Sequence, residues 1–432
     1  MKRTQLGATP AQWKTLPGPD DIYRTILPNG ICLLVRSNFN SPSVVMSGYL
    51  ACGSQLDPVE KLGLAHFTSV SLLRGTANRT FQQIFEALES AGASLGFSAS
   101  VHSTPFGGRA LAEDLPLLFT LLAEAVRQPV FPEDQVERLR GQILTSLAIR
   151  NQDTSERADL AFDEIVFANH PYGRPEDGHP ETIQRITRDD LVAFHQQYYA
   201  PRGMVIVVVG AVSPEQVTEQ AQQNLGDWQV LAPEPPVLPA ILPLGESVRK
   251  HIFIPGKTQT DLVIGCLGPR RNAPEYLAAS LGNNILGQFG MMGRIGEVVR
   301  ERAGLAYHAS TSLNSWITAG SWDVSAGVNP ANLERAIQLI IEELRRFTRE
   351  PVTLEELQDS QANFVGRLPL SLESNAGVAN ALLTLERFSL GLDYYREYPG
   401  RVQQVTPEAI LEVARRYIDP DKLAIISAGP ER

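Results

Sequence analysis

Two stretches of the chain repeat one sequence of apolar and polar positions. Ile183 to Thr187 opens a run that passes through an amphipathic segment to Tyr198, turns at Pro201 and ends in the unbroken apolar stretch Val205–Gly210. Val402 to Thr406 opens a second run, through Tyr417 and Pro420 to Ala424–Gly429. The matched positions Ile183 and Val402, Tyr198 and Tyr417, Pro201 and Pro420, Gly210 and Gly429 each lie 219 residues apart. Each run predicts a helix N-capped by threonine, a proline turn, and a buried strand ending at glycine. The match continues upstream. Gln128-Pro129-Val130 precedes a predicted helix from about Pro132, and Glu350-Pro351-Val352 precedes one from about Thr353. Helices are also predicted over 114–127 and 331–348; in the latter Leu333, Ala336, Ile337, Ile340, Ile341, Leu344 and Phe347 form one apolar stripe. Gly92 and Gly304 each close a helix before a strand. Period-two or continuous apolar runs predict strands at 23–27, 31–35, 44–51 and 103–110.

The chain therefore reads as a duplication. The halves are placed at 20–228 and 246–432, joined by a linker at 229–245 whose core, Val230 to Leu244, holds five prolines in fifteen residues. Such a segment forms neither a helix nor an inner strand. Strands first, then paired helices and strands, predict an α+β fold: two homologous halves, each a mainly antiparallel sheet with its own helices covering one face.

Composition narrows the function. The 432 residues carry a formal charge of −10, are 43% hydrophobic and 20% charged, and contain no Lys/Arg cluster. A phosphate backbone has nothing to bind to on such a chain, so nucleic acid is not an expected partner. Cys32, Cys52 and Cys266 are odd in number, lack a CxxC and sit in apolar runs, predicting reduced, buried thiols. Residues 1–19 have two early basic residues and no apolar core, unlike a secretory signal. No run approaches the ~18 apolar residues of a membrane span. A cytoplasmic location is expected.

The stretch Gly63-Leu64-Ala65-His66-Phe67-Thr68-Ser69-Val70 lies within a predicted helix at about 62–74. It resembles G-L-A-H-F-x-E-H, the setting of the inverted HxxEH motif of zinc peptidases of the pitrilysin, insulinase and mitochondrial processing peptidase family. There, histidines at i and i+4 share a helix face and chelate one zinc, while the glutamate polarises the attacking water. Here His66 remains, Ser69 stands at the glutamate position and Val70 at the second histidine. A serine hydroxyl is too weak a base for that task, and valine has no donor atom. The family's third ligand, a glutamate, comes from a later helix. The matching helix, about 132–150, has no carboxylate between Glu137 and Asp153. His66 reads as a residual helix histidine. No metal or cofactor is expected in this chain.

The second half carries a different signal. Residues 287–307 are similar to the family segment G-x-x-S-R-L-x-x-x-[LIV]-R-x-x-x-G-L-A-Y, with Arg300 and Tyr307 at its Arg and Tyr. The resemblance implies that this pair reaches a zinc site on an opposite half or subunit and holds the substrate carbonyl and developing oxyanion. Guanidinium and phenol suit that task as donors that need no proton removal. Outside this setting, Arg300 reads as a solvated charge near a helix C-terminus and Tyr307 as a strand aromatic. Ala303 departs from the family, where a basic residue is frequent; Arg302 stands beside it.

The resemblance, which also includes His170-Pro171-Tyr172-Gly173 as a structural turn, runs from about Tyr23 to Gly429. It implies the zinc-free subunit of a heterodimeric zinc peptidase. An HxxEH-bearing paralogue would supply zinc, an extended peptide laid on a sheet edge would be the substrate, and a homodimer could form in isolation. The alternative is a non-enzymatic scaffold or core subunit of a larger assembly. A stand-alone enzyme using Ser69, Cys52 and His66 lacks any nucleophile-elbow context. His179, His195, His251 and His308 read as surface or core residues, and His102 carries no distinct signal.

Overall fold

A computed structural model of the protein describes residues 16–234, 236–289 and 293–431. The first sheet contains β1 (Tyr23–Ile26), β2 (Cys32–Ser37), β3 (Ser43–Leu50), β4 (Ser94–Phe97), β5 (Thr104–Leu111) and β6 (Val205–Gly210), in the order β1-β2-β6-β3-β5-β4. The second contains β7 (Val248–Phe253), β8 (Thr260–Gly268), β9 (Ala306–Ser315), β10 (Gly320–Val328) and β11 (Ala424–Gly429), in the order β7-β11-β8-β10-β9. Among the described residues only β2–β6 and β7–β11 are parallel pairs. This is the predicted α+β architecture of two mainly antiparallel, helix-covered sheets. The described residues from 229 to 247 form neither helix nor strand.

The first half carries α1 (Leu64–Ser71), α2 (Phe81–Ser90), α3 (Leu115–Arg127), α4 (Glu133–Arg150), α5 (Thr154–Val166), α6 (Pro180–Arg185), α7 (Arg188–Tyr198) and α8 (Pro214–Leu225). The second carries α9 (Tyr276–Gly287), α10 (Gly293–Gly296) running into a π-helical turn at Glu297–Arg302, α11 (Leu333–Phe347), α12 (Leu354–Ser371), α13 (Asn375–Arg387), α14 (Tyr394–Gln403) and α15 (Pro407–Tyr417). Thr187 and Thr406 cap α7 and α15 through their hydroxyls, as the repeat predicts.

The expectation that each half covers its sheet with its own helices on one face holds for one face only. Leu33, Val35, Met46, Ile206 and Val208 form a core with Leu118, Phe119, Leu122 and Phe194 of the same half. Strand residues alternate faces, so Cys32, Leu34, Val205, Val207 and Val209 form a second apolar surface on the opposite side. Val378, Ala379, Leu382 and Leu385 of α13, from the other half, pack against it. The exchange is reciprocal. Ala158, Ala161, Phe162 and Val166 of α5 pack on Val263, Ala424, Ile426 and Ala428 of the second sheet. Each fully buried Val or Leu contributes about 1.5–3 kcal/mol, so covering these outer faces is a large term joining the halves. It also accounts for the unbroken apolar run in β6 and for the burial of both β6 and β11 at every position.

All three cysteines are buried and free, and burial pushes each thiol up to about 12. Among the described residues, no helix is long and apolar enough to cross a membrane.

The crossing of α5 places carboxylates between the halves. Burial, then the neighbouring Asp323, Asp159 and Glu176, push Asp163 up to about 8. Burial, then Asp159, pushes Asp323 of β10 up to about 7, against the hydrogen bond from Ser321. In the unfolded chain both titrate near the ordinary aspartate value. Between about pH 4 and 8 the folded state therefore holds protons that the unfolded state has released, so stability is greatest on the acid side and falls as pH rises. Urea unfolding at pH 5.5 and pH 8 is expected to show a loss on the order of 1–3 kcal/mol. Asp163→Asn should flatten that slope, and an unchanged slope would contradict this account.

Candidate functional site

The residual motif is held by a capped, tightly seated helix. Gly63, at φ +93°, begins α1, and a Cβ there would lie 2.7 Å from Ile183 Cδ1 and 2.9 Å from the Asp177 carbonyl oxygen. Only glycine combines that backbone with that contact. The buried Asp57 carboxylate accepts from the Gly63 and Ala65 amides, each at 2.9 Å, satisfying the free helix N–H groups. Burial pushes Asp57 up to about 7 despite those bonds. Leu64, Ala65 and Phe67 face the core.

His66 is half-buried. Desolvation lowers its pKa, and Asp177, itself ion-paired with Arg150, pulls the other way. Ser69 is 1% exposed, and its hydroxyl donates to the His66 carbonyl oxygen at 2.7 Å, so it is spent on its own helix. Val70 packs against the first core. α4 lies against α1, as the resemblance requires of the third-ligand helix, but its buried residues are Val136, Leu139, Ile143 and Leu147. Among the described residues there is no group of three or more His, Cys, Asp or Glu able to hold a metal ion. The residues present do not fit zinc, which requires three or four strong ligands.

Arg300 and Tyr307 lie in the second half on irregular backbone. Gly290, Met291 and Met292 of the same segment lie outside the described residues. Arg294 is fixed structurally, with Nε and Nη2 each 2.7 Å from the two Glu356 oxygens. Burial alone would raise the Glu356 carboxyl; Arg294 and the Thr353 amide outweigh it and hold it at about 2. Arg300 occupies the π-helical turn, a form enriched at functional sites. Its Nε donates to Glu301 Oε1 at 2.9 Å. Its buried Nη2 lies 2.7 Å from the same oxygen without hydrogen-bond alignment, leaving donor capacity. Gly304, at φ +65°, turns the chain into β9, one of the two outer strands of the second sheet. In the β9–β10 register Ala306 faces Val328 and His308 faces Gly327, so Tyr307 is the extra residue of a bulge. Bulges re-aim side chains, and Tyr307 is 73% exposed. No hydrogen bond or ion pair among the described residues joins Arg300 or Tyr307 to His66, Ser69 or Val70.

Sequence reasoning missed His102. Its Nε2 lies 2.6 Å from Tyr172 Oη and its Nδ1 lies 2.8 Å from Gln55 Oε1. Tyr172 Oη accepts from the Thr318 amide at 3.2 Å and the Thr318 hydroxyl at 2.9 Å. The phenol proton is then left to donate to His102 Nε2, which assigns the remaining imidazole proton to Nδ1. Burial, then His170 and Arg387, lower His102 to about 4, so it stays neutral. The His170–Gly173 turn, with His170 Nδ1 accepting from the Tyr172 amide at 3.1 Å, aims this tyrosine across the junction of the halves. Only the turn itself had a sequence signal.

Two sheet-and-helix halves exchanging helices, with a broken HxxEH helix in the first and an Arg/Tyr segment in the second, define a duplicated zinc-peptidase fold. Residues 33–176 match the family model Insulinase (Peptidase family M16), and residues 185–364 match Peptidase M16 inactive domain. The chain is 26% identical over 417 residues to an uncharacterized zinc protease of Mycobacterium leprae, covering 96% of this chain and 92% of that protein. It is 26% identical over 408 residues to the mitochondrial-processing peptidase subunit beta of Saccharomyces cerevisiae, covering 89% and 84%. The crystal structure of a peptidase M16 inactive domain from Pseudomonas fluorescens superposes with a TM-score of 0.88 at 26% identity, covering 95% of this chain and 98% of that one. The chain belongs to peptidase family M16, and its residues 185–364 match the model named for that family's inactive domain.

Two outcomes are expected. After incubation with equimolar Zn²⁺ and desalting, elemental analysis should find far less than stoichiometric zinc. Tyr172→Phe leaves His102 Nε2 and the Thr318 amide without their partner, and should lower unfolding stability by about 1–3 kcal/mol; wild-type stability in that variant would show that the bridge contributes nothing.

Proposed function

We propose that this chain is the zinc-free subunit of a heterodimeric zinc-dependent peptidase, supplying Arg300 and Tyr307 to the substrate carbonyl at a zinc site on an HxxEH-bearing paralogue. The observation that carries this reading is the backbone at the two positions. A π-helical turn bears Arg300 and a bulge bears Tyr307, seven residues apart. Both are departures from regular geometry that a purely supporting strand has no need to retain, and the bulged tyrosine stands in solvent with no side-chain hydrogen bond among the described residues. In the assembled pair, both groups would donate to the oxygen on which charge develops. The broken motif of this chain would leave water activation to the partner. The substrate would be an extended peptide, bound through backbone pairing to a sheet edge.

The scaffold reading has one observation in its favour, the engagement of Arg300 with Glu301. The two readings separate on mixing the chain with its HxxEH-bearing paralogue. Zinc-dependent peptide cleavage should appear only in the mixture. Tyr307→Phe and Arg300→Ala should each lower kcat on the order of 10²-fold with the complex intact by gel filtration. Full turnover in both variants, or a stable complex without cleavage, would favour the scaffold.

A further inference from the structure

A cavity of about 960 Å³ opens where three parts of the chain meet. Gln55 and His170 line it from the first half, Arg270 and Glu275 from the second, and Leu238 and Ile241 from the linker. Leu238, Ile241 and Leu244 are half-buried, whereas Pro236, Val237, Pro239, Ala240, Leu242 and Pro243 are exposed. Burial at every third residue is the period of a polyproline II segment with one face docked. Ile241 and Leu244 pack on the cluster formed by α5 and the second sheet. Docked in this way, the linker is a wall of the cavity rather than a loose tether.

The side-chain groups left without a partner in this cavity are donors. His102 Nδ1–H donates to Gln55 Oε1 at 2.8 Å, so the amide oxygen of Gln55 is taken and its NH2 has no partner among the described residues. His170 is 1% exposed. Its Nδ1 accepts from the Tyr172 amide at 3.1 Å, which puts its proton on Nε2, and that buried Nε2 has no partner. Arg270 forms no ion pair or side-chain hydrogen bond among the described residues. The carboxylate of the cavity, Glu275, accepts from Tyr417 Oη at 2.8 Å and pairs with Arg416 at 3.0 Å. Burial alone would raise the Glu275 carboxyl; its own amide, Tyr417, Arg416 and the field of Arg270 outweigh it and hold it low, so it is ionised. Two guanidiniums against one carboxylate leave one positive charge. A cavity at such a junction is ordinarily filled by water, and Arg270 alone would be a solvated surface charge. The buried, unpaired His170 donor in the same cavity sets it apart. A monoanion matches both the charge and the donors, and guanidinium geometry favours a carboxylate.

We propose that this cavity is a binding site for a monocarboxylate with an apolar body. The carboxylate oxygens accept from Arg270, the Gln55 amide and the His170 Nε2–H, and the hydrocarbon lies against Leu238, Leu267 and Ile317. The same head group ends a free organic acid and the last residue of a peptide. The site is complete within this chain and does not rest on a zinc-bearing partner.

Ligand-observed NMR titration of the intact chain tests it with hexanoate, hexanamide and acetate, and with N-acetyl-alanyl-leucine and its C-terminal amide. Hexanoate should bind roughly tenfold tighter than hexanamide and tighter than acetate, with the preference for the acid shrinking as salt rises. A larger acid preference in the leucine pair identifies a peptide C-terminus as the source of the carboxylate, and a larger one in the hexanoate pair identifies a free acid. Arg270 is exposed, so Arg270→Gln should fold normally and lose most of the preference. Gln55→Glu keeps an acceptor for His102 and places a like charge beside the ligand; checked for an unchanged melting temperature, it should bind neither acid. Equal binding of acid and amide in both pairs, or an acid preference that survives in both variants, would overturn the proposal.

Discussion

The inner strands β6 and β11 are buried on both faces, and that constraint organises the molecule. A strand buried on one side alone needs polar residues at every second position. Val205 to Val209 offers none, so something other than the half's own helical layer must cover the second face. The chain meets this by exchanging helices, with α13 lying on the first sheet and α5 on the second. The halves are thus parts of one cooperative structure. The Pro-rich linker between them ties together units that are already held by a shared apolar interface. The acidic groups of α5 are brought against Asp323 by the same exchange, so ionisation at the junction opposes the burial that forms it.

In the first half, α1 and α4 pack together without supplying the donor set that zinc requires. Asp57 still caps α1, Gly63 still fits against Ile183 and Asp177, and α4 still lies alongside. Chelation depends on donor atoms converging within about 2 Å of one point, and a hydroxyl turned back onto its own helix beside an isopropyl group does not supply them. Packing tolerates these replacements because Ser69 is satisfied locally and Val70 joins the apolar surroundings. Stability and metal chemistry thus rest on different atoms of the same helix.

Arg294 is locked to Glu356 and serves α10 and α12, whereas Arg300 and Tyr307, in the same segment, occupy a π-helical turn and a bulge. Tyr172 shows how a residue of a local turn can gain a junction role from its neighbours. Its turn is local, but His102 and Thr318 come to it from opposite halves.

Much of this was legible in the sequence. The constant spacing of the repeat exposed the duplication, and apolar periodicity located α11, β6 and β11, because helix and strand geometry set which positions face inward. The missing ligands at Ser69 and Val70 were equally plain, since side-chain identity alone decides whether a donor atom exists. The tertiary structure decided the rest: which sheet each helix covers, that Tyr307 is a bulged residue, that His102 bridges to Tyr172, and that Gln55, His170 and Arg270 line one cavity. These depend on register and on contacts between residues distant in the chain, and local periodicity carries no information about which distant surface will complete a face.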